Sequence, residues 1–106
     1  MPNRTQHAFI VVVDPTDADA NLSDVRKFIT TSPDIANWWN YIPGTYIVST
    51  SLSADELSDR LKLMTGDVRH LVVRTDLKES EGWLPERAWK WIRRRSREED
   101  KKTVAN

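Results

Sequence analysis

The chain has 106 residues, 16 basic and 16 acidic side chains, a net charge of zero and no cysteine. That length suits a single domain with a real core. The composition excludes disulfides, thiolate metal sites and thiol catalysis, and it excludes a protein that grips polyanions through bulk charge. The longest apolar run, residues 8–13, is too short to span a bilayer, and no targeting pattern precedes it, so a cytoplasmic protein with no membrane partner is expected. The charges are segregated: acids crowd residues 14–24 and bases crowd residues 87–97.

Taken in chain order, the run Ala8-Phe9-Ile10-Val11-Val12-Val13 predicts a central strand buried on both faces. It ends at Asp14-Pro15, because the residue before proline is pushed to extended geometry. Asp14 therefore stands at the C-terminal end of a central strand, where many folds place chemistry. A polar loop, residues 16–21, leads to Leu22, Val25, Phe28 and Ile29 at helical spacing, with Asn21 or Ser23 as candidate N-cap. Ser32-Pro33 ends that helix, and a short turn is expected through Ala36.

Residues 37–51 offer two readings, a helix end followed by one strand or a β-hairpin. Their aromatic and β-branched density favours the hairpin, with residues 38–42 and 45–51 as strands and Pro43-Gly44 as the turn. Residues 52–66 carry the clearest helix signal. Ser53 and Glu56 form a capping box, Leu52 and Leu57 occupy staple positions, Leu57, Leu61 and Met64 form the expected buried stripe, and Gly66 suits the C-terminal cap. Residues 70–74 read as a strand. Pro85 opens a last helix running to about Arg95, with Leu84, Ala88, Trp91 and Ile92 on one face. Residues 1–95 thus form one domain, and residues 96–106, charged and without apolar periodicity, are expected to be a flexible tail. The order is β-α-β-β-α-β plus a helix. It predicts an α+β, ferredoxin-like βαββαβ antiparallel sheet with an added C-terminal helix over its open face or its edge.

Four groups of residues are candidates for chemistry. Asp14, Asp17, Asp19 and Asp24 supply hard oxygen ligands for Mg²⁺ or Mn²⁺. An EF-hand loop fails, because Leu22 fills the glycine position and Phe28 the position of the bidentate glutamate. The ordinary role of such aspartates is to solvate a loop and favour the following helix N-terminus. Arg87, Lys90, Arg93, Arg94, Arg95 and Arg97 interleave with Trp89 and Trp91, a mixture that neutralises phosphates and stacks on bases, so RNA or DNA is a candidate partner. Basic residues also complement the C-terminal end of a helix dipole, and Glu98, Glu99 and Asp100 dilute the field. His7 and His70 fall in no Ser-His-Asp or zinc spacing, and with three glycines no phosphate-cradling loop is present. Adjacent Trp38 and Trp39 must point to opposite faces of a strand, one into the core and the other toward the terminal helix, a ligand or a second subunit.

The segment Trp38-Trp39-Asn40-Tyr41-Ile42-Pro43-Gly44-Thr45-Tyr46 resembles the WWHYL-x-ST-W motif of small prokaryotic proteins labelled SinR-like, with Asn40 at the histidine position. Gly82-Trp83-Leu84-Pro85 with Ala88-Trp89 resembles their closing GWLP-x-x-AW motif. The likeness covers about residues 8–92. Such proteins are similar in layout to the ferredoxin-like small subunit of CRISPR adaptation and to ferredoxin-like antitoxin endoribonucleases. The resemblance implies a homodimer with a nucleic-acid connection. It also places Asp14 where the CRISPR subunit carries its metal-dependent nuclease aspartate. Three functions therefore stand as expectations. One is a non-catalytic, dimeric binding or assembly module. Another is a metal-dependent nuclease that holds Mg²⁺ between two Asp14 carboxylates. The third is a protein that binds a small effector in a tryptophan-lined cleft.

Overall fold

The computed structural model describes residues 5–17, 22–66 and 68–104, with side chains to residue 95. The elements are β1 (His7–Val13), α1 (Leu22–Thr31), β2 (Ile35–Ile42), β3 (Thr45–Thr50), α2 (Ala54–Thr65), β4 (His70–Thr75) and α3 (Glu86–Val104). Among the described residues the fold is α+β: one four-stranded antiparallel sheet in the order β2-β3-β1-β4, with three helices.

The continuous apolar run explains the position of β1. Paired to β3 on one side and β4 on the other, it must bury both faces. Phe9, Val11 and Val13 enter one core with Val25, Phe28 and Ile29 of α1 and Leu57 and Leu61 of α2. Ala8 turns to the opposite face and joins Trp39, Ile47 and Leu77 under Ala88 and Ile92 of α3. The sheet is thus a middle layer, with α1 and α2 on one face and α3 on the other.

Local signals act as their chemistry dictates. Ser53 and Glu56 form the reciprocal capping box, and Leu52 and Leu57 are buried beside it. The Gly66 N–H donates to Lys62 O at a positive φ of 81°. Pro43-Gly44 turns the β2–β3 hairpin. Gly44, at φ 77°, accepts the Val13 N–H at 2.7 Å and so ties the hairpin tip to the end of β1. Asn40 donates to both Ile42 O and Thr45 O, closing the irregular stretch where β2 loses register with β3.

Four expectations change. Met64 is exposed: Thr65 is the half-buried residue of the last turn of α2, and Met64 lines an apolar hollow of about 290 Å³ with Phe28 and Leu63. β2 begins at Ile35, so no turn extends through Ala36; Ile35 packs in the core and pairs with Thr50. Ser23 lies inside α1, while the other N-cap candidate, Asn21, falls outside the described residues. Helix α3 continues past Arg95 to Val104. Its sequence spaces Arg95 from Glu99 and Glu98 from Lys102 by four residues, an arrangement that favours helix despite the lack of an apolar stripe. No helix among the described residues is long and apolar enough to cross a membrane.

Candidate nucleic-acid interface

The two adjacent tryptophans of β2 divide between the faces, as a strand requires. Trp38 packs against the α1/α2 core, and Trp39 is buried under α3. A cleft of about 410 Å³ wraps around this edge strand. Its α1 side holds Arg26, whose guanidinium lies 5.2 Å from the centroid of the Trp38 ring and whose Nη1 donates to Asn40 Oδ1 at 3.4 Å. Its α3 side holds Arg87, 5.6 Å from the Tyr41 ring centroid. Trp91 closes the cleft, and Trp39 and Tyr41 meet at 5.4 Å with their planes tilted by 47°.

A guanidinium over a ring face still carries N–H donors along its edge; Arg26 directs one to Asn40, and the others suit the paired oxygens of a phosphate. The aromatic faces beside them favour flat rings. Tyr41 is exposed, and Trp38 and Trp91 are half-buried, so ring surface is presented within the cleft. Trp39 is different: its Nε1 is buried and has no hydrogen-bond partner among the described residues, and its ring acts as wall and core at once. Desolvation raises the Tyr46 hydroxyl above its ordinary pKa, with Arg26 opposing that shift. Tyr46 therefore stays neutral at physiological pH.

The basic residues of α3 do not form one patch. Arg87 reaches the cleft, and Lys90 and Arg94 are exposed. Arg93 lines a separate hollow of about 570 Å³ with Leu77, Gly82 and Trp89. Arg95 is buried, 9% exposed, with its guanidinium 5.2 Å from the Trp91 centroid. It is thus not a surface phosphate contact. The stripe Arg87, Trp91, Arg95 recurs every fourth residue along one helix face. Arg97 lies beyond the described side chains.

Asp14 does stand at the C-terminal end of β1. Its Oδ1 accepts the Thr16 N–H at 2.9 Å and the Thr16 hydroxyl at 2.7 Å, and its Oδ2 lies 3.6 Å from Arg69 Nε. Asp17 accepts the Arg69 N–H at 3.0 Å and shares that guanidinium. The Thr16 hydrogen bonds, aided by Arg69, hold the Asp14 carboxyl below its usual range. These contacts pin the β1–α1 loop to the start of β4. Among the described residues no group of three or more His, Asp or Glu side chains converges to hold a metal ion. Asp24 sits in the first turn of α1, and Asp19 falls outside the described residues.

Sequence spacing gave no sign of two further partnerships. His70 Nδ1 lies 2.8 Å from Val68 O, which only accepts, so Nδ1 carries the proton and Nε2 accepts the Ser58 hydroxyl at 2.7 Å. That pair fastens α2 to β4. Arg26 and Asn40 belong to the cleft but come from α1 and β2, far in sequence from the basic helix. The only available signal was the aromatic density of residues 38–41, which the strand reading assigned to packing. No family model, curated protein or solved structure matches the chain.

Proposed function

We propose that this protein is a non-catalytic, dimeric binding module that grips single-stranded RNA or DNA in the cleft around β2. The observation that carries this reading is the pair of ring-stacked arginines, Arg26 over Trp38 and Arg87 over Tyr41, on opposite walls of one aromatic cleft. Phosphates meet the guanidinium edges, and bases stack on the exposed ring faces. Net neutrality limits the long-range field, so binding is local and weak, with a dissociation constant of about 1–100 µM at physiological salt. A ferredoxin-like assignment accompanies the proposal. It is supported by the strand order β2-β3-β1-β4 and by helices that connect β1 to β2 and β3 to β4. The SinR-like and CRISPR-subunit-like resemblance and a cytoplasmic setting belong to the same reading.

A metal-dependent nuclease built on Asp14 is the competing function. It rests on the strand-end position of Asp14, whose two oxygens already have partners in Thr16 and Arg69. One experiment separates the two. Purified protein and its Asp14→Asn variant are incubated with labelled single-stranded RNA and DNA, with Mg²⁺ or Mn²⁺, and followed for both binding and cleavage. The proposal expects equal, saturable binding by both proteins and intact oligonucleotide. Cleavage lost in the variant overturns it in favour of the nuclease.

A further inference from the structure

The sheet has two edges, and they are unlike. β2 carries two register irregularities, is flanked by α1 and α3, and forms the cleft. β4 has no bulge, proline or lysine, and among the described residues no strand pairs with its outer side. Edges of that kind template further strand pairing unless something covers them. On the α3 face, β4 also exposes Leu71 (60%) and Val73 (44%), beside Val12 (38%) of β1.

The hydrogen-bond alternation fixes which groups the open edge offers. Asp14 N–H donates to Arg69 O and Val13 N–H to Gly44 O, so neighbouring residues of β1 bond to opposite sides. Carried along the β1–β4 register, this turns the backbone groups of Leu71, Val73 and Thr75 toward β1 and those of His70, Val72 and Arg74 outward.

We infer that the occupant of this edge is the β4 strand of a second copy, paired antiparallel about a two-fold axis through Val72. The inference rests on the dimeric part of the function proposed above and names its surface. A two-fold axis normal to the sheet keeps each face with itself, so it passes through a residue rather than between two. The central residues, Val72 and Val73, keep most of β4 paired. With Val72 there, the outward backbone groups of His70, Val72 and Arg74 all find partners, and Leu71 stands opposite Val73 of the second copy, apolar against apolar. With Val73 there, Leu71 would face Thr75 and Val72 would face Arg74. The Val72 register therefore fits the side chains of the α3 face, setting His70 opposite Arg74 on the other, and it extends the Val12–Leu71–Val73 strip across the junction. The product is an eight-stranded sheet with both α3 helices on one face. The two clefts then lie at the far edges, ~34 Å apart at seven strand spacings, so that one nucleic-acid strand can engage both and gain avidity.

The test uses the full chain, whose lack of cysteine gives a clean background. Light scattering should report twice the 12.3 kDa chain mass, and Leu71→Lys, at a position already exposed, should halve it with an unchanged circular-dichroism spectrum. Under mild oxidation Val72→Cys should cross-link into a disulfide dimer, and Val73→Cys should not. A wild-type protein of monomer mass, a dimer indifferent to Leu71→Lys, or cross-linking through Val73→Cys alone would each overturn the inference. A monomer that binds oligonucleotide sinks the dimer and spares the cleft; a β4-paired dimer that binds none does the reverse.

Discussion

The guanidinium of Arg87 lies 5.6 Å from the centroid of the Tyr41 ring, and so fastens the first turn of α3 to the outer edge of β2. Both residues are exposed, so the contact contributes little to stability, about 0.5–1 kcal/mol. Its consequence is positional: it holds a cation over one face of an exposed ring at the mouth of the cleft. Tyr41→Ala should leave the urea midpoint nearly unchanged while weakening single-strand binding about tenfold, as expected for the loss of one stacked base. Fluorescence anisotropy with a short oligonucleotide checks the second effect.

Trp39 tests how much of the aromatic cluster is scaffold. It is buried against Ala88 and Ile92, and its Nε1 has no partner among the described residues. Trp39→Ala should cost about 3–5 kcal/mol, the range for large core truncations. Trp39→Phe loses volume but also removes a buried unsatisfied donor worth about 1–3 kcal/mol, so its net cost should stay within about 1 kcal/mol. Urea denaturation of the two variants measures the difference.

The hairpin turn yields a backbone prediction. A Cβ on Gly44 would stand 2.5 Å from the Val13 carbonyl oxygen, at a positive φ of 77°. Gly44→Ala should therefore cost more than the ~1–2 kcal/mol of the left-handed conformation alone. Gly66, at φ 81° and ψ −164°, sits in a region open essentially to glycine alone, with nothing among the described residues within 4 Å of an added carbon. Gly66→Ala should therefore cost about 1–3 kcal/mol through backbone preference, with no steric clash added. Thermal melts of the pair separate steric clash from backbone preference.

Asp14 gives a pH dependence. Its folded pKa lies below the ordinary 3.8 because Thr16 and Arg69 favour the carboxylate. A group depressed on folding stabilises above its unfolded value and loses that stabilisation as pH falls through the folded value. Asp14→Ala should melt lower than wild type at neutral pH, and the gap should narrow below pH 3.8. A gap that is constant through acid would contradict the charge-linked role.

Much of the fold was legible because local rules act within a few residues. Ser53 and Glu56, the Pro43-Gly44 turn and the apolar β1 run each specify their own element and agree with the sheet that forms. The side-chain environment of α3 was less legible. Arg87, Arg93 and Arg95 have the same chemistry in sequence, yet one meets Tyr41, one lines a hollow and one is buried over Trp91. The docking of the helix decides which, and that depends on Trp39 and Leu77 from distant strands and loops. Met64 fits the helical stripe as well as Leu61 does, but stands exposed beside the hollow under the α2 end. A tryptophan-lined cleft was within reach of the sequence, but its arginines were not, since Arg26 joins Arg87 only after α1 and α3 settle on opposite faces of β2.

If Arg26 and Arg87 together hold a nucleic-acid backbone, the salt dependence of binding reports both contacts at once. Affinity for a labelled single strand is followed from low to physiological salt for wild type and for the Arg26→Ala, Arg87→Ala double variant. Log affinity should fall linearly with log salt in the wild type, and the double variant should flatten the slope by about 1.4, the share of two phosphate contacts on a single strand. A double variant that keeps the wild-type slope and affinity would contradict it.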